Sequence, residues 1–281
     1  MEPESHRYIR KFFLYVSLTA GAILAMLPFL WMTFSSFMTR GETIRRAIIP
    51  DQIQWDNYVS AWREAHFGDY FENSIIIAVI QVLGTLIFSL MAAYPLARMD
   101  FRGRDTIFAI ILATLMIPET VTMVPNFLTV TWLHRNTPVP WLNNWLSLTV
   151  PFLTSAFSIF LLRQFMRGIP NDLWEAARID GAGHVRFLFR IVLPLCRPPL
   201  LTVGMFTFIG SWNSLAWPLL VTNSSEWRPI SVGLQQFVSE AGAEINLQMA
   251  GAVIATIPVL IVYFLIQKEF TEGISMSGLK G

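Results

Sequence analysis

Between Lys11 and Arg40 the chain runs through Phe12–Thr39 without one charged side chain. A helix rises 1.5 Å per residue, and the hydrocarbon core of a bilayer is about 30 Å thick, so roughly 20 such residues suffice to cross it. The pattern recurs. Asn73–Ala97 carries no charge, and the window from Thr106 to about Leu128 is interrupted only by Pro118, Glu119 and Pro125. Further charge-free windows cover about 145–162, 198–221 and 250–266. Hydrophobic residues make up 54% of the chain and charged residues 14%. A typical soluble domain carries about 25% charged residues, so a soluble surface could not be covered, and the apolar content excludes disorder. The expected fold is an all-α membrane protein with six transmembrane helices, at about 12–34, 73–97, 106–128, 145–162, 198–221 and 250–266.

Lys and Arg set the orientation. Arg7, Arg10, Lys11, Arg98, Arg102, Arg104, Arg163, Arg167, Arg178, Arg186, Arg190, Arg197, Lys268 and Lys280 fall on one side. Only Arg40, Arg45, Arg46, Arg63, Arg135 and Arg228 fall on the other. Both termini and the 163–197 loop are therefore expected in the cytoplasm. The first span is too long for a removable signal peptide and lacks a small-residue cleavage pattern, so it reads as a retained anchor. The organisation is an anchor span and outer loop over 1–72, a five-span core over 73–267, and a tail over 268–281. Trp55, Tyr58 and Trp62, spaced by three and four residues in the acidic outer loop, predict a short interfacial helix that anchors at lipid headgroups or docks a partner. The net charge of +1 creates no field for nucleic acid, and the single cysteine, Cys196, allows no internal disulfide.

The 163–197 loop has its own structure. Gly168 and Pro170 stop the fourth span, Asn171 or Asp172 can cap a new helix over Leu173–Asp180, and Gly181 can end it in a left-handed conformation. A second helix is predicted over His184–Leu193, stopped by Pro194. In the first helix the adjacent Ala176 and Ala177 leave little bulk. Leu173, Trp174 and Ile179 add apolar area, and Glu175, Arg178 and Asp180 supply directional charge. Such a helix can dock a soluble partner, or pack as a re-entrant cap against its own spans.

Glu175-Ala176-Ala177-Arg178-Ile179-Asp180-Gly181-Ala182-Gly183, followed by Phe187, Ile191, Leu193 and Pro194, resembles the EAA loop of ATP-binding-cassette importer permeases. Leu162-Arg163-Gln164-Phe165, Ile169-Pro170, Gly210-Ser211-Trp212-Asn213, Trp217-Pro218-Leu219-Leu220 and the tail from Gly273 to Gly281 are similar to the carbohydrate-import branch of that family, including maltose-type and glycerol-phosphate permeases. The resemblance covers about 70–281 well and the first span loosely. It implies a MetI-like, type I importer permease in a bacterial or archaeal inner membrane. Its implied partners are a second, different permease subunit, two cytoplasmic ATPases that bind ATP and Mg, and an extracytoplasmic substrate-binding protein. The permease itself would hold no cofactor. Leu173, Glu175, Ala176, Ala177, Arg178, Asp180, Gly181, Ala182 and Gly183 are carried over as ATPase-coupling residues, with a bulky side chain at Gly181 expected to obstruct the turn. Ser275, Ser277 and Lys280 are carried over as tail contacts to the ATPase.

The chain lacks chemistry of its own. Gly273-x4-Gly278-Leu279-Lys280 has Leu where a phosphate loop requires Lys, and neither H-E-x-x-H nor G-x-S-x-G occurs. His6, His66, His134 and His184 are far apart in sequence, which disfavours a metal site or proton relay. An intramembrane hydrolase would need paired catalytic groups at membrane depth, and none occur. Trp212, Asn213, Ser214 and Trp217 offer aromatic faces and polar groups for a sugar, or else pack the fifth span. Glu119 is the one acid within a predicted span, which marks either a functional site or the watered outer mouth of the third span. Ion coupling through Glu119 is the basis of the rival reading, a secondary transporter.

Overall fold

In a computed structural model, which describes residues 4–64, 67–239 and 242–277, the long charge-free windows are helices. The first is α1 (Glu4–Ser36), followed by α2 (Arg40–Ile44), α3 (Asp56–Glu64) and α4 (Phe67–Arg98). Then come α5 (Arg104–Thr114), α6 (Glu119–Asn136), α7 (Trp145–Thr149), α8 (Ala156–Arg167), α9 (Asp172–Ile179), α10 (His184–Phe187) and α11 (Leu193–Leu195). The last are α12 (Arg197–Trp212), α13 (Ala216–Val221), α14 (Ile230–Gly233) and α15 (Ile245–Ser277). Besides helices and turns, the described residues include one antiparallel pair, Val238–Ser239 with Gly242–Ala243.

Three stretches, Arg10–Ser36, Phe67–Arg98 and Ile245–Gln267, are long and apolar enough to cross a membrane. Three bent pairs bring the number of candidate spans to as many as six. The window from Thr106 to Leu128 is not one rod. Its two helices, α5 and α6, meet at 98°. Pro118 sits at the break, where it lacks an N–H and steers Ile117 away from helical backbone. Pro151 in the 3-10 turn Val150–Phe152 accompanies a gentler bend of 40° before α8. Pro194 does not stop the second loop helix as expected. A π-helical turn, Leu188–Val192, carries the chain straight into α11, so Pro194 lies inside one continuous helical run, next to the turn of widened hydrogen bonding. The break comes at Cys196 instead, with a bend of 78° into α12. The predicted fifth span is interrupted too, since α12 ends at Trp212 and α13 begins at Ala216.

The chain divides into two compact units: residues up to Phe67 together with Leu234–Ile257, and Gly68–Gly233 together with the chain from Pro258. In the first unit, Asn57 on α3 is buried and donates its amide to the carbonyls of Ser36 (2.9 Å) and Met38 (2.8 Å), capturing the end of α1. Ser36 Oγ and Tyr58 Oη lie 2.7 Å apart, and Asn246 donates to Asn57 Oδ1 at 3.1 Å. The aromatics of this outer loop thus serve partly in packing, with Phe37 edge-on to Trp55. In the second unit a cluster built on Leu162, Met166, Phe187, Val192 and Cys196, all essentially solvent-free, joins α4, α8 and the 163–197 loop.

Thr39 and Glu42 form a capping box at α2. Glu42 N–H donates to Thr39 Oγ1 (3.3 Å), and Thr39 N–H donates to Glu42 Oε2 (2.7 Å). Asp51 N–H also donates to Glu42 Oε1 at 2.7 Å. These donors, Asp51 N–H foremost and then Thr39, with Arg45 adding a smaller pull, hold the Glu42 carboxyl down from 4.5 to about 2. A depressed carboxyl contributes stability fully above its unfolded value and loses it as pH falls toward the folded one. Hydrogen exchange should therefore find the Thr39 and Asp51 amides protected at pH 5 and progressively released between about pH 4.5 and 2. In Glu42→Gln the same amides should be weakly protected already at pH 5. Equal protection in variant and wild type would contradict the assignment.

Candidate functional site

Helix α9 is defined at both ends by backbone chemistry. Asn171 occupies the cap position without a side-chain bond, contrary to its expected role. Its carbonyl accepts the N–H groups of Trp174 (2.8 Å) and Glu175 (3.0 Å). At the other end Gly181 takes φ +74°, Gly181 N–H donates to Arg178 O (3.0 Å), and Ala182 N–H donates to Ala177 O (2.8 Å). This is a Schellman closure, and only glycine enters it without strain. A Cβ at Gly181 would meet nothing within 4 Å. The expected obstruction is therefore corrected: the turn has room, and the cost of substitution is the positive φ.

The helix is clamped from behind. Trp174, expected to offer contact area outward, instead stacks on His184 with centroids 4.3 Å apart and meets Phe187 edge-on at 5.0 Å. Tyr94 Oη lies 2.9 Å from His184 Nδ1. Arg98 donates to the carbonyl of Ile169 (2.8 Å) and lies 5.7 Å over the Phe187 ring. Ala177 is buried and Ala182 half-buried, so these two alanines belong to the packed side. Leu173, Glu175, Ala176, Arg178, Asp180, Gly181 and Gly183 are exposed. Ile179 is 88% exposed and Val185 71% exposed, an apolar area too large to be incidental on a docked-in cap. Val185 and Phe189 went unnoticed in the sequence; their four-residue spacing on the second loop helix was the available signal. Ser275 and Ser277 fall in the last turn of α15, and Lys280 lies outside the described residues.

A second feature lies among α4, α6, α8 and α12. Two adjoining cavities of about 280 Å3 each share Glu119, Phe152, Gly210 and Ser214 in their walls. Trp217 lines the first, while Gln81, Thr85 and Ser211 line the second. Of the four residues expected to meet solute, Ser214 and Trp217 reach a cavity. Trp212 is buried, stacked on Phe208 at 5.4 Å and edge-on to Phe71. Asn213, the exposed C-cap of α12, lines neither cavity. Trp217 is fixed by its Nε1–H, which donates to Ser147 O at 2.8 Å, and by the edge of Phe152. Glu119 opens α6 at the 98° break, which turns it into the cavity wall. Gln81 and Thr85 carry no local signal that separates them from other polar residues in apolar windows, and Ser211, although within the Gly210–Asn213 motif, is not marked by it as a cavity residue.

A multi-pass helical membrane protein with a bonded loop helix and a polar cavity among its spans is the class defined by this geometry. Comparison with known proteins gives the family. Residues 84–275 match the model of the binding-protein-dependent transport system inner membrane component, and the chain belongs to that family. The arabinooligosaccharides transport system permease protein AraQ of Halalkalibacterium halodurans is 31% identical, over 92% of this chain and 93% of its own. The sn-glycerol-3-phosphate transport system permease protein UgpE of Yersinia enterocolitica is 32% identical, over 93% and 95%. Among solved structures, a bacterial ABC transporter involved in the import of the acidic polysaccharide alginate contains a chain with TM-score 0.82 and 27% identity, covering 95% of this chain and 98% of that one.

Proposed function

We propose that this chain is one of two permease subunits of an ATP-driven importer in the bacterial cytoplasmic membrane, carrying a sugar or polyol-phosphate solute. The relatives' substrates and the polar cavity support that solute class. Six spans, with both termini and the 163–197 loop on the cytoplasmic side, fit the distribution of Lys and Arg. The observation that carries the reading is α9: a short helix held rigidly from behind, presenting Glu175, Arg178, Asp180 and Ile179 outward. That face docks a cytoplasmic ATPase, with Ser275, Ser277 and Lys280 as further contacts from the tail. ATP and Mg are bound by the two ATPase subunits, and the permease holds no cofactor. A second permease completes the pathway, and an extracytoplasmic binding protein delivers solute to it. Coupling then consists of differential contacts with α9 in two states of the ATPase, which shift the spans between outward and inward access.

Purification in mild detergent tests this. Wild type should bring down an ATPase and a second permease, and Gly181→Trp should weaken ATPase retention while leaving the second permease bound. Backbone strain at Gly181 amounts to about 1–2 kcal/mol, too little to unfold the spans, so loss of the ATPase reports on the docking face. Wild type that purifies alone and transports in liposomes without ATP would replace this reading with an ion-coupled transporter.

A further inference from the structure

Among the described residues lining the two cavities, Glu119 is the only acid, and no Lys, Arg or His contributes. It lines both. The start of α6 adds a helix dipole worth roughly half a positive charge, which offsets the carboxylate only in part. Three of the neighbouring polar side chains spend a donor on the backbone rather than on the cavity. Thr85 Oγ1 donates to Phe152 O (3.1 Å), Thr122 Oγ1 donates to Glu119 O (2.9 Å), and the Gln81 amide donates to Leu148 O (2.7 Å). With donors turned to the backbone, these side chains offer the cavity mainly lone pairs. Ser211 Oγ, on a residue 93% buried in the wall of the second cavity, has no partner among the described residues. A buried hydroxyl without a partner is costly, and a solute hydroxyl can satisfy it.

Taking the chain as a permease, as proposed above, we infer that Glu119 determines specificity by charge: the cavity accepts neutral, hydroxyl-rich solutes and rejects phosphate- or carboxylate-bearing ones. Sugar hydroxyls donate to the carboxylate and to the lone pairs around it. Glu119 is exposed to the cavity, and an anion entering there meets its carboxylate with no cation among this chain's described lining residues to offset it. Of the two solute classes left open above, the neutral saccharide is the one this chain fits.

The field can be measured without knowing the solute. Cys196 is fully buried, so a thiol placed at Ser214→Cys is the reactive one. In membranes holding the assembled importer, a cationic methanethiosulfonate should modify that thiol about tenfold faster than an anionic one, after each rate is divided by that for an exposed thiol. In the Glu119→Gln background the corrected ratio should fall to near one. Asn126→Cys, on the wall of the first cavity, gives a second reporter should Ser214→Cys fail to assemble. Equal rates with Glu119 in place, or a ratio that Glu119→Gln leaves unchanged, would overturn the assignment, as would ATP-dependent uptake of sn-glycerol 3-phosphate by wild type. Labelling needs neither ATP nor transport. A chain that labels as expected but moves no solute would therefore fault the permease reading and leave the charge assignment standing.

Discussion

Arg163→Met should destabilise the fold by about 3 kcal/mol, a factor of roughly 150 in the unfolding equilibrium. Arg163 is 3% exposed, one turn before the end of α8, and its guanidinium makes three kinds of contact. Its Nε–H donates to Leu96 O at 3.1 Å, an NH2 group donates to Asp105 Oδ1 at 3.0 Å, and the plane lies 3.7 Å over the Phe108 ring. Magnitudes decide which of these matters. The ion pair has one side in water, because Asp105 is 74% exposed, and such pairs are worth at most about 1 kcal/mol. A buried charged hydrogen bond to a carbonyl is worth about 1.5–3 kcal/mol, and a desolvated cation–π contact about 2. Methionine fills much of the volume but leaves Leu96 O without this donor. Asp105→Asn should therefore cost under about 1 kcal/mol, and Arg163→Lys most of the full amount, since an ammonium cannot stack on Phe108 and fork to two acceptors. Reversible unfolding of the three variants in mixed micelles measures all of this. A cost at Asp105→Asn equal to that at Arg163→Met would show the ion pair, not the burial, to be the stabilising element.

Arg163 also shows where the sequence stops being legible. By position it is one of fourteen charges that orient the chain, and nothing local separates it from exposed Arg167 four residues later. The long helices α1, α4 and α15 follow from uninterrupted apolar windows, because a bilayer sets a length that sequence can be measured against. Gly181 is legible for a related reason: a left-handed residue after a short periodic stretch is a local requirement. The breaks at Pro118 and Cys196 are less so, since proline marks where a helix can bend but not by how much, and Pro194 lies within a helical run that bends only at Cys196. The cavity was the hardest part. Glu119 was visible as an acid in a span, but its neighbours Gln81, Thr85, Ser211 and Ser214 come from windows more than thirty residues away on either side. Trp212 and Trp217 show the converse: aromatic residues close in sequence point to a solute site only if their indoles are not already spent on packing, and both largely are.

Arg98→Ala should leave the ATPase attached yet cut solute uptake by at least about tenfold, the expected result of losing one charge-assisted bond in a transmitting contact. The last turns of α4 grip both arms of the loop hairpin: Arg98 takes the Ile169 carbonyl ahead of α9, and Tyr94 takes His184 at the start of α10. The same helix carries Gln81 and Thr85 in the cavity wall, about 20–25 Å away at 1.5 Å per residue. α4 stays helical from Arg98 back to Gln81 although Pro95 lies inside it, so on the proposed reading displacement of α9 would reach the cavity through α4 provided the grip holds. Two variants separate docking from transmission. Glu175→Lys alters the exposed face of α9 and should strip the ATPase from the complex. Arg98→Ala alters only the buried side, so ATP hydrolysis by the attached ATPase should continue while uptake falls. Arg98→Lys should recover part of the transport, because it keeps one donor to Ile169 O but loses the guanidinium over Phe187. Full uptake by Arg98→Ala would remove α4 from the path, and loss of the ATPase from that variant would make Arg98 a determinant of docking instead.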